Sequence, residues 1–474
     1  MAWLVPCAVY FASLNRSISF WDTGEMQVVP WILGIAHPTG FPAFTLFGFA
    51  FAHALPFGPV AARMAFLSAL CAATTAWLVW RTVVDVWDDP WAGCGAALVF
   101  AFGEVVWLRG TRTEVHTFAL VLAIGAVYFA LRWYRSAKPA DLYAAAATWG
   151  VGAATHPIDV LVAPALVVLI GAHVRRATPG SLLVACLIAF AGVALYAYLP
   201  LRSAYVTHAR IDPTLALGEQ PGKPFWDNDH PSSLSGFVQE VSGSDFGAGE
   251  SVARMLDWKT YAENVGYLDT LVREATPAGV AFAFVGAFAL LRKERVAGVA
   301  LILAGIVPTA FGFAYTIEAD RLRYDLIGFA TVAMFAGFGV AAIGRSFPAL
   351  RSLVLAVLFV TPAALLVWHA NIFEQRNSLG AQPTIDAVRA RTPNNAVLVA
   401  PWLFATPLAY AAYVDHSLGH RVVETAWLSD DADLVPRWMR TRPVYVVGLL
   451  FGSVPGYDTR QVSSSPDIWQ VVKR

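Results

Sequence analysis

Long runs of apolar residues succeed one another over most of this chain, at about 2–14, 60–83, 91–108, 115–133, 142–155, 157–174, 181–200, 276–291, 296–316, 324–343 and 350–369. Inside a bilayer every backbone N–H and C=O must find a partner without water, which leaves the α-helix as the natural form for such runs. One span takes roughly 20 apolar residues. The pattern predicts an all-α polytopic membrane protein with about eleven transmembrane helices. Composition agrees, since 57% of residues are hydrophobic and 14% charged, against about 25% charged in soluble domains. The 33 basic and 33 acidic residues balance, so charge points to no nucleic-acid partner.

Two runs depart from a simple span. Residues 2–14 are short for a crossing and lack a basic leader, which predicts a retained first helix rather than a signal peptide. Residues 42–55 begin at Pro42, stop before Pro56 and carry His53 near their end, which suits an interfacial or re-entrant helix. Cys7, Cys71, Cys94 and Cys186 all lie in apolar runs and read as small core residues.

Basic residues set the orientation. Arg132, Arg135 and Lys138, then Arg175 and Arg176, then Arg292, Lys293 and Arg295, then Arg345 and Arg351 fall on one side if 142–174 is two short segments turning at His156-Pro157. By the positive-inside rule that side is cytoplasmic. The outer face then holds a first loop (15–59), the Arg109–Glu114 turn, the His156-Pro157 turn, a large loop (202–275) and the Arg321–Tyr324 turn. From residue 371 the composition becomes that of a soluble domain, with buried strands expected at 396–400 and 444–447 and a helix at 403–416. The expected organisation is a transmembrane domain, 1–370, followed by a small extracytoplasmic α/β domain, 371–474.

Chemistry-bearing residues collect at the outer level. Asp22 and Glu25 are three apart, so one helical turn would put both carboxylates on one face. Such acids can accept a proton from an attacking hydroxyl or hold a metal, or they can be ordinary surface acids of a solvated loop. His37 stands in His37-Pro38-Thr39-Gly40, where Pro and Gly fix a turn that presents the imidazole. Glu104 lies in an apolar run and is expected to pair with Arg109 or Arg112 at the outer end. Glu114 and His116 open the next helix and face outward; His156 and Asp159 flank a proline turn, where a local hydrogen bond is the simpler role. Arg202, Arg323 and Tyr324 sit at the outer ends of later helices, where arginine either anchors to lipid headgroups or grips a phosphate through its bidentate fork.

The stretch WDTGEMQVVPWILGIAHPTGFPAF (21–44), followed by RMAFLS (63–68) and WLRGTRTEVHTF (107–118), resembles the polytopic GT-C glycosyltransferases, nearest to the protein O-mannosyltransferase-like family. The resemblance covers about residues 15–160; Arg202 after YLP, and Arg323-Tyr324, fit later segments more loosely. Relatives often have a second proline where this chain has Thr39, and tyrosine where it has His116. The resemblance implies transfer of a sugar, mannose at family level, from a polyprenyl-phosphate donor to a protein, lipid or glycan hydroxyl, with inversion. On that model Asp22 is the general base; Glu25 orients the acceptor, assists a divalent metal or supports the aspartate; His37 belongs to the same catalytic loop. Arg202 and Arg323 would steady the departing phosphate, with Arg112, Glu114, His116, His156 and Tyr324 as further site residues. The expected setting is a bacterial cytoplasmic membrane with the site on the periplasmic or extracellular side. A transporter or flippase of a lipid-linked sugar would use similar charges, but neither internal repeats nor paired broken helices are evident. A non-catalytic glycan-binding relative is the other alternative.

Overall fold

A computed structural model describes residues 1–264, 266–317, 321–449 and 452–474. The chain forms two compact units, each assembled from three stretches: 1–14, 65–196 and 244–375 in the first, 15–64, 197–243 and 376–474 in the second.

The first unit is helical. Among the described residues seven helices of the chain are long and apolar enough to cross a bilayer: Val60–Trp87, Val115–Ser136, Pro179–Ala209, Tyr267–Lys293, Arg295–Ala314, Leu326–Ser346 and Pro348–Trp368. An eighth candidate is the pair Pro90–Phe102 and Glu104–Gly110, bent by 71°. The count falls below the expected eleven because some apolar runs make short helices. Leu4–Ala12 has 9 residues, Pro139–Ala153 has 15, and 157–174 divides into a 3-10 turn, Pro157–Val162, and a 9-residue helix, Ala163–Gly171. At about 1.5 Å per residue none of these reaches the ~30 Å of a hydrocarbon core alone. The break expected at His156-Pro157 is present.

Close packing follows small residues, as it must where helix pairing in lipid gains little from the hydrophobic effect. Gly286 of Tyr267–Lys293 and Gly339 of Leu326–Ser346 face one another; a Cβ on Gly339 would lie 3.1 Å from the Gly286 nitrogen. The bend at Gly103 has its own cause. The buried Glu274 carboxylate accepts the Val105 N–H at 2.6 Å, satisfying an orphan donor at the start of Glu104–Gly110.

The second unit combines Trp21–Ile32, Pro42–Ala54 and Leu234–Ser242 with a mixed sheet. Its strands are β1 (Val397–Ala400), β2 (Val422–Thr425), β3 (Val444–Val447), β4 (Tyr457–Ser464) and β5 (Asp467–Lys473), in the order β2-β1-β3-β5-β4. β1 runs parallel to β2 and β3, with Leu398 opposite Val423 and Tyr445, while β5 is antiparallel to β3 and β4. β1 and β3 are buried at every residue, as central parallel strands should be, and both were legible as apolar runs. The helix Trp402–Tyr413 joins β1 to β2. A segment of the large polar loop docks on this sheet: Lys223 Nζ lies 2.9 Å from Glu219 Oε2 and 2.9 Å from Glu424 Oε1 on β2, and Trp438 Nε1 donates to the Leu217 carbonyl at 2.8 Å.

Candidate active site

The helix Trp21–Ile32 starts at the first acid motif, so Asp22 sits in a helical first turn, where the helix dipole favours a carboxylate. The motif is helical rather than loop, and the spacing does what it predicts. Asp22 is half-buried, and its Oδ1 accepts the indole N–H of Trp402 at 3.1 Å. Glu25, one turn on, is fully buried. Its Oε1 accepts the His37 backbone N–H at 2.8 Å, and its Oε2 meets His37 Nδ1 in a direct ion-pair contact. Burial raises the Glu25 carboxyl above its ordinary range; the His37 charge and hydrogen bonds pull it back, and nearby Asp22 raises it again. Both Glu25 oxygens are engaged by His37 in this arrangement.

The chain around His37 is held from several sides. The Gly40 N–H closes the turn onto the His37 carbonyl at 2.9 Å, with Gly40 at φ +76°, a region that suits glycine. The helix before it ends with orphan carbonyls, and these find donors on Tyr198–Ala209. Tyr198 Oη donates to Leu33 O at 2.6 Å and Gly34 O at 3.0 Å, and Arg202 Nη2 donates to Ile32 O at 3.0 Å. Arg202 also lies 5.2 Å over the Tyr205 ring. Its cation therefore complements a helix C-terminus.

Glu240 is a member of this neighbourhood that local sequence does not mark. It is fully buried, with Oε2 accepting from Asn228 Nδ2 at 3.1 Å, and a Cβ on Gly40 would stand 2.9 Å from its Oε1. Burial, reinforced by Asp229 and Glu25, pushes its carboxyl up to about 10. It is the neutral acid of the group at pH 7. Trp402 was likewise unmarked, being an ordinary tryptophan at the start of an ordinary helix.

In the first unit the remaining candidates converge on Glu114. Its Oε2 is 3.0 Å from Arg109 Nη1, 3.9 Å from Arg112 Nη2 and 3.9 Å from Arg323 Nε; its Oε1 is 2.7 Å from His116 Nδ1. Burial alone would raise this carboxyl, but Arg323, His116 and Arg112 together hold it well below the usual carboxylate range. Three guanidinium groups facing one ionised carboxylate leave a net positive, largely buried cluster. The His116 ring lies 4.3 Å from His156 and 5.9 Å from Tyr324, centroid to centroid. His156 Nδ1 accepts the Ile158 N–H at 3.2 Å, the local turn bond expected for it.

One expected pairing fails. Glu104 does not pair with Arg109 or Arg112; it lies 3.7 Å from Arg273, and Arg109 serves Glu114 instead. Glu104 and Arg109 are five apart on one short helix, which puts them on different faces.

Carboxylates of Glu219, Glu424 and Asp431 also come within 4.8 Å of one another among the described residues. The Lys223 ammonium already sits against them, and burial raises Glu424 to about 8. This is a charged joint between the loop and the sheet.

The fold is that of the GT-C glycosyltransferases. ArnT from Cupriavidus metallidurans, solved with undecaprenyl phosphate, superposes with a TM-score of 0.63 at 11% identity, covering 99% of this chain and 96% of that one. The archaeal oligosaccharyltransferase AglB from Archaeoglobus fulgidus, solved with an inhibitory peptide and a dolichol-phosphate, gives 0.56 at 13% identity over 94% of this chain and 69% of that one. Residues 22–178 match the family model described as the Protein O-mannosyl-transferase TMEM260 N-terminal domain, which bears out the resemblance in that stretch. Protein O-mannosyl-transferase tmem260 of Dictyostelium discoideum is 27% identical over 142 residues, 28% of this chain and 17% of that protein. Its counterpart in Mus musculus is 37% identical over 108 residues, 23% of this chain and 15% of that protein. The matched stretch is thus under a fifth of either relative's length. It contains Asp22, Glu25, His37, Arg112, Glu114, His116 and His156, while Arg202, Arg323 and Tyr324 lie beyond it.

Proposed function

We propose that this multi-pass membrane protein is a glycosyltransferase that moves a sugar from a polyprenyl-phosphate donor to an acceptor hydroxyl on the extracytoplasmic face, with inversion. The observation that supports it most is Asp22 in a helical first turn, one turn from a buried Glu25 that grips His37. Asp22 would take the proton of the acceptor hydroxyl as its oxygen attacks the anomeric carbon. The bond from that carbon to the phosphate oxygen breaks, and the lipid phosphate leaves with the electron pair. Arg202 and Arg323, with Arg112 beside Glu114, would steady that anion, the role that fixed positive charge plays at a developing negative one. Glu25 and His37 hold the catalytic turn in place. The relatives' names favour mannose as the sugar and protein as the acceptor, and the two neighbours solved with polyprenyl or dolichol phosphate favour a lipid-linked donor. On this reading residues 1–370 form the transmembrane catalytic domain, and 371–474 lie outside the cytoplasm, in a bacterium on the periplasmic side.

The test is transfer by the purified protein in lipid, offered a panel of radiolabelled polyprenyl-phosphate sugars with membrane extract as acceptor. Label moved from one donor supports the reading and names the sugar; no transfer from any donor by folded protein would sink it. A reporter fused at Gly380 should be non-cytoplasmic, and a cytoplasmic signal would overturn the assigned side.

A further inference from the structure

On the transferase reading above, we infer that Trp402, from the far end of the chain, is the positioning residue for Asp22. Its indole N–H is the donor to Asp22 Oδ1, at 3.1 Å and 380 residues away in sequence. Three features make this a built arrangement. First, the Trp402 ring is stacked on Phe225, centroids 5.5 Å apart and planes 2° from parallel, which fixes where its N–H points. Second, the His37 ring stands edge-on to the same indole at 6.2 Å, so one side chain borders both the acid and the histidine. Third, the helices carrying the two residues lie in close contact along a second point: a Cβ on Gly24 would come 2.9 Å from Thr406 Oγ1, one turn after Trp402. The same helix is tied again at Tyr410, whose hydroxyl accepts the Ala61 N–H at 3.1 Å.

A carboxylate with one oxygen held by a stacked indole has its orientation restrained, and with it the direction from which it can take a proton. Such orientation acts on the rate of the chemical step more than on donor binding. The α/β domain thereby contributes to catalysis without touching substrate.

Trp402→Phe retains the stack on Phe225 and loses only the donor. The expected result is a fall in kcat of roughly tenfold, the usual weight of a hydrogen bond to a charged group, with donor KM unchanged. Trp402→His, which offers a ring N–H, should recover part of the loss. In a thermal-unfolding cycle on detergent-solubilised protein, Trp402→Phe and Asp22→Ala should be non-additive, because each removes the same bond. Wild-type kcat in Trp402→Phe, or additive losses in the cycle, would overturn the role of Trp402 while leaving the transferase reading standing. Absence of transfer by wild type itself would overturn the reading and this role with it.

Discussion

The Glu25 carboxylate holds His37 from two directions, taking its backbone N–H on one oxygen at 2.8 Å and its imidazole on the other. An acid and a histidine 12 residues apart are thereby tied together.

Glu25→Ala should destabilise the protein by about 1–3 kcal/mol, since the His37 N–H loses its buried acceptor. Glu25→Gln keeps an acceptor for that N–H but removes the charge facing the imidazole. Its folding should be near normal while transfer drops on the order of a hundredfold, the usual cost of a displaced catalytic group. Full activity in Glu25→Gln would show that the ion pair is structural only.

Glu240 makes a pH prediction with a definite sign. Its folded carboxyl is raised to about 10 from an ordinary 4.5, so the folded state retains a proton that the unfolded chain has lost across that window. Its contribution to stability is fully present below about 4.5, falls as pH rises, and is gone by about 10. Unfolding midpoints measured from pH 5 to 10 should decline more steeply in wild type than in Glu240→Gln, which is neutral throughout. Parallel curves would contradict the buried neutral acid.

The cluster at Glu114 predicts a split between two of its partners. Arg323→Ala should raise donor KM roughly tenfold or more, by removing a cation that the phosphate would meet. Arg109, 3.0 Å from Glu114, should matter chiefly for folding, so Arg109→Ala should lower the unfolding midpoint. Unchanged donor affinity in both Arg323→Ala and Arg202→Ala would refute the phosphate role assigned to these arginines.

Gly24 is constrained first by the Ser19 backbone carbonyl and then by Thr406, whose Oγ1 would lie 2.9 Å from an added Cβ. Gly24→Ala should destabilise by about 1–3 kcal/mol, the usual cost of overpacking. Thr406→Ala in the same chain, which removes the Oγ1, should recover part of the loss. An unshifted unfolding midpoint in Gly24→Ala, or no recovery on Thr406→Ala, would mean that Thr406 does not confine Gly24.

Periodic and local features were the legible ones. Apolar runs announce helices because burial in lipid demands them, and the Asp22–Glu25 spacing announces a shared helical face because three residues make almost one turn. β1 and β3 show as continuous apolar runs, whereas β4 is largely exposed along its length and carries Asp458, Arg460 and Gln461, so nothing in its composition separates it from loop. Hydropathy sees apolar length and not the breaks: one run bends by 71° at Gly103, where Glu274 takes the Val105 N–H, and Pro157 opens a 3-10 turn in another. Long-range partners were illegible in principle. Nothing near Trp402 says that it donates to Asp22, and Glu104, on a different face of its short helix from Arg109, meets Arg273 instead.

The most direct measurement is sugar transfer by wild type and Asp22→Asn, purified side by side in lipid with the same polyprenyl-phosphate donor. Asparagine keeps an oxygen for the Trp402 N–H and the shape of the side chain, but takes no proton from a hydroxyl. The account predicts label transferred by wild type and none above background by Asp22→Asn, with donor binding nearly equal in the two. Turnover by Asp22→Asn at the wild-type rate would contradict it, removing Asp22 as the base.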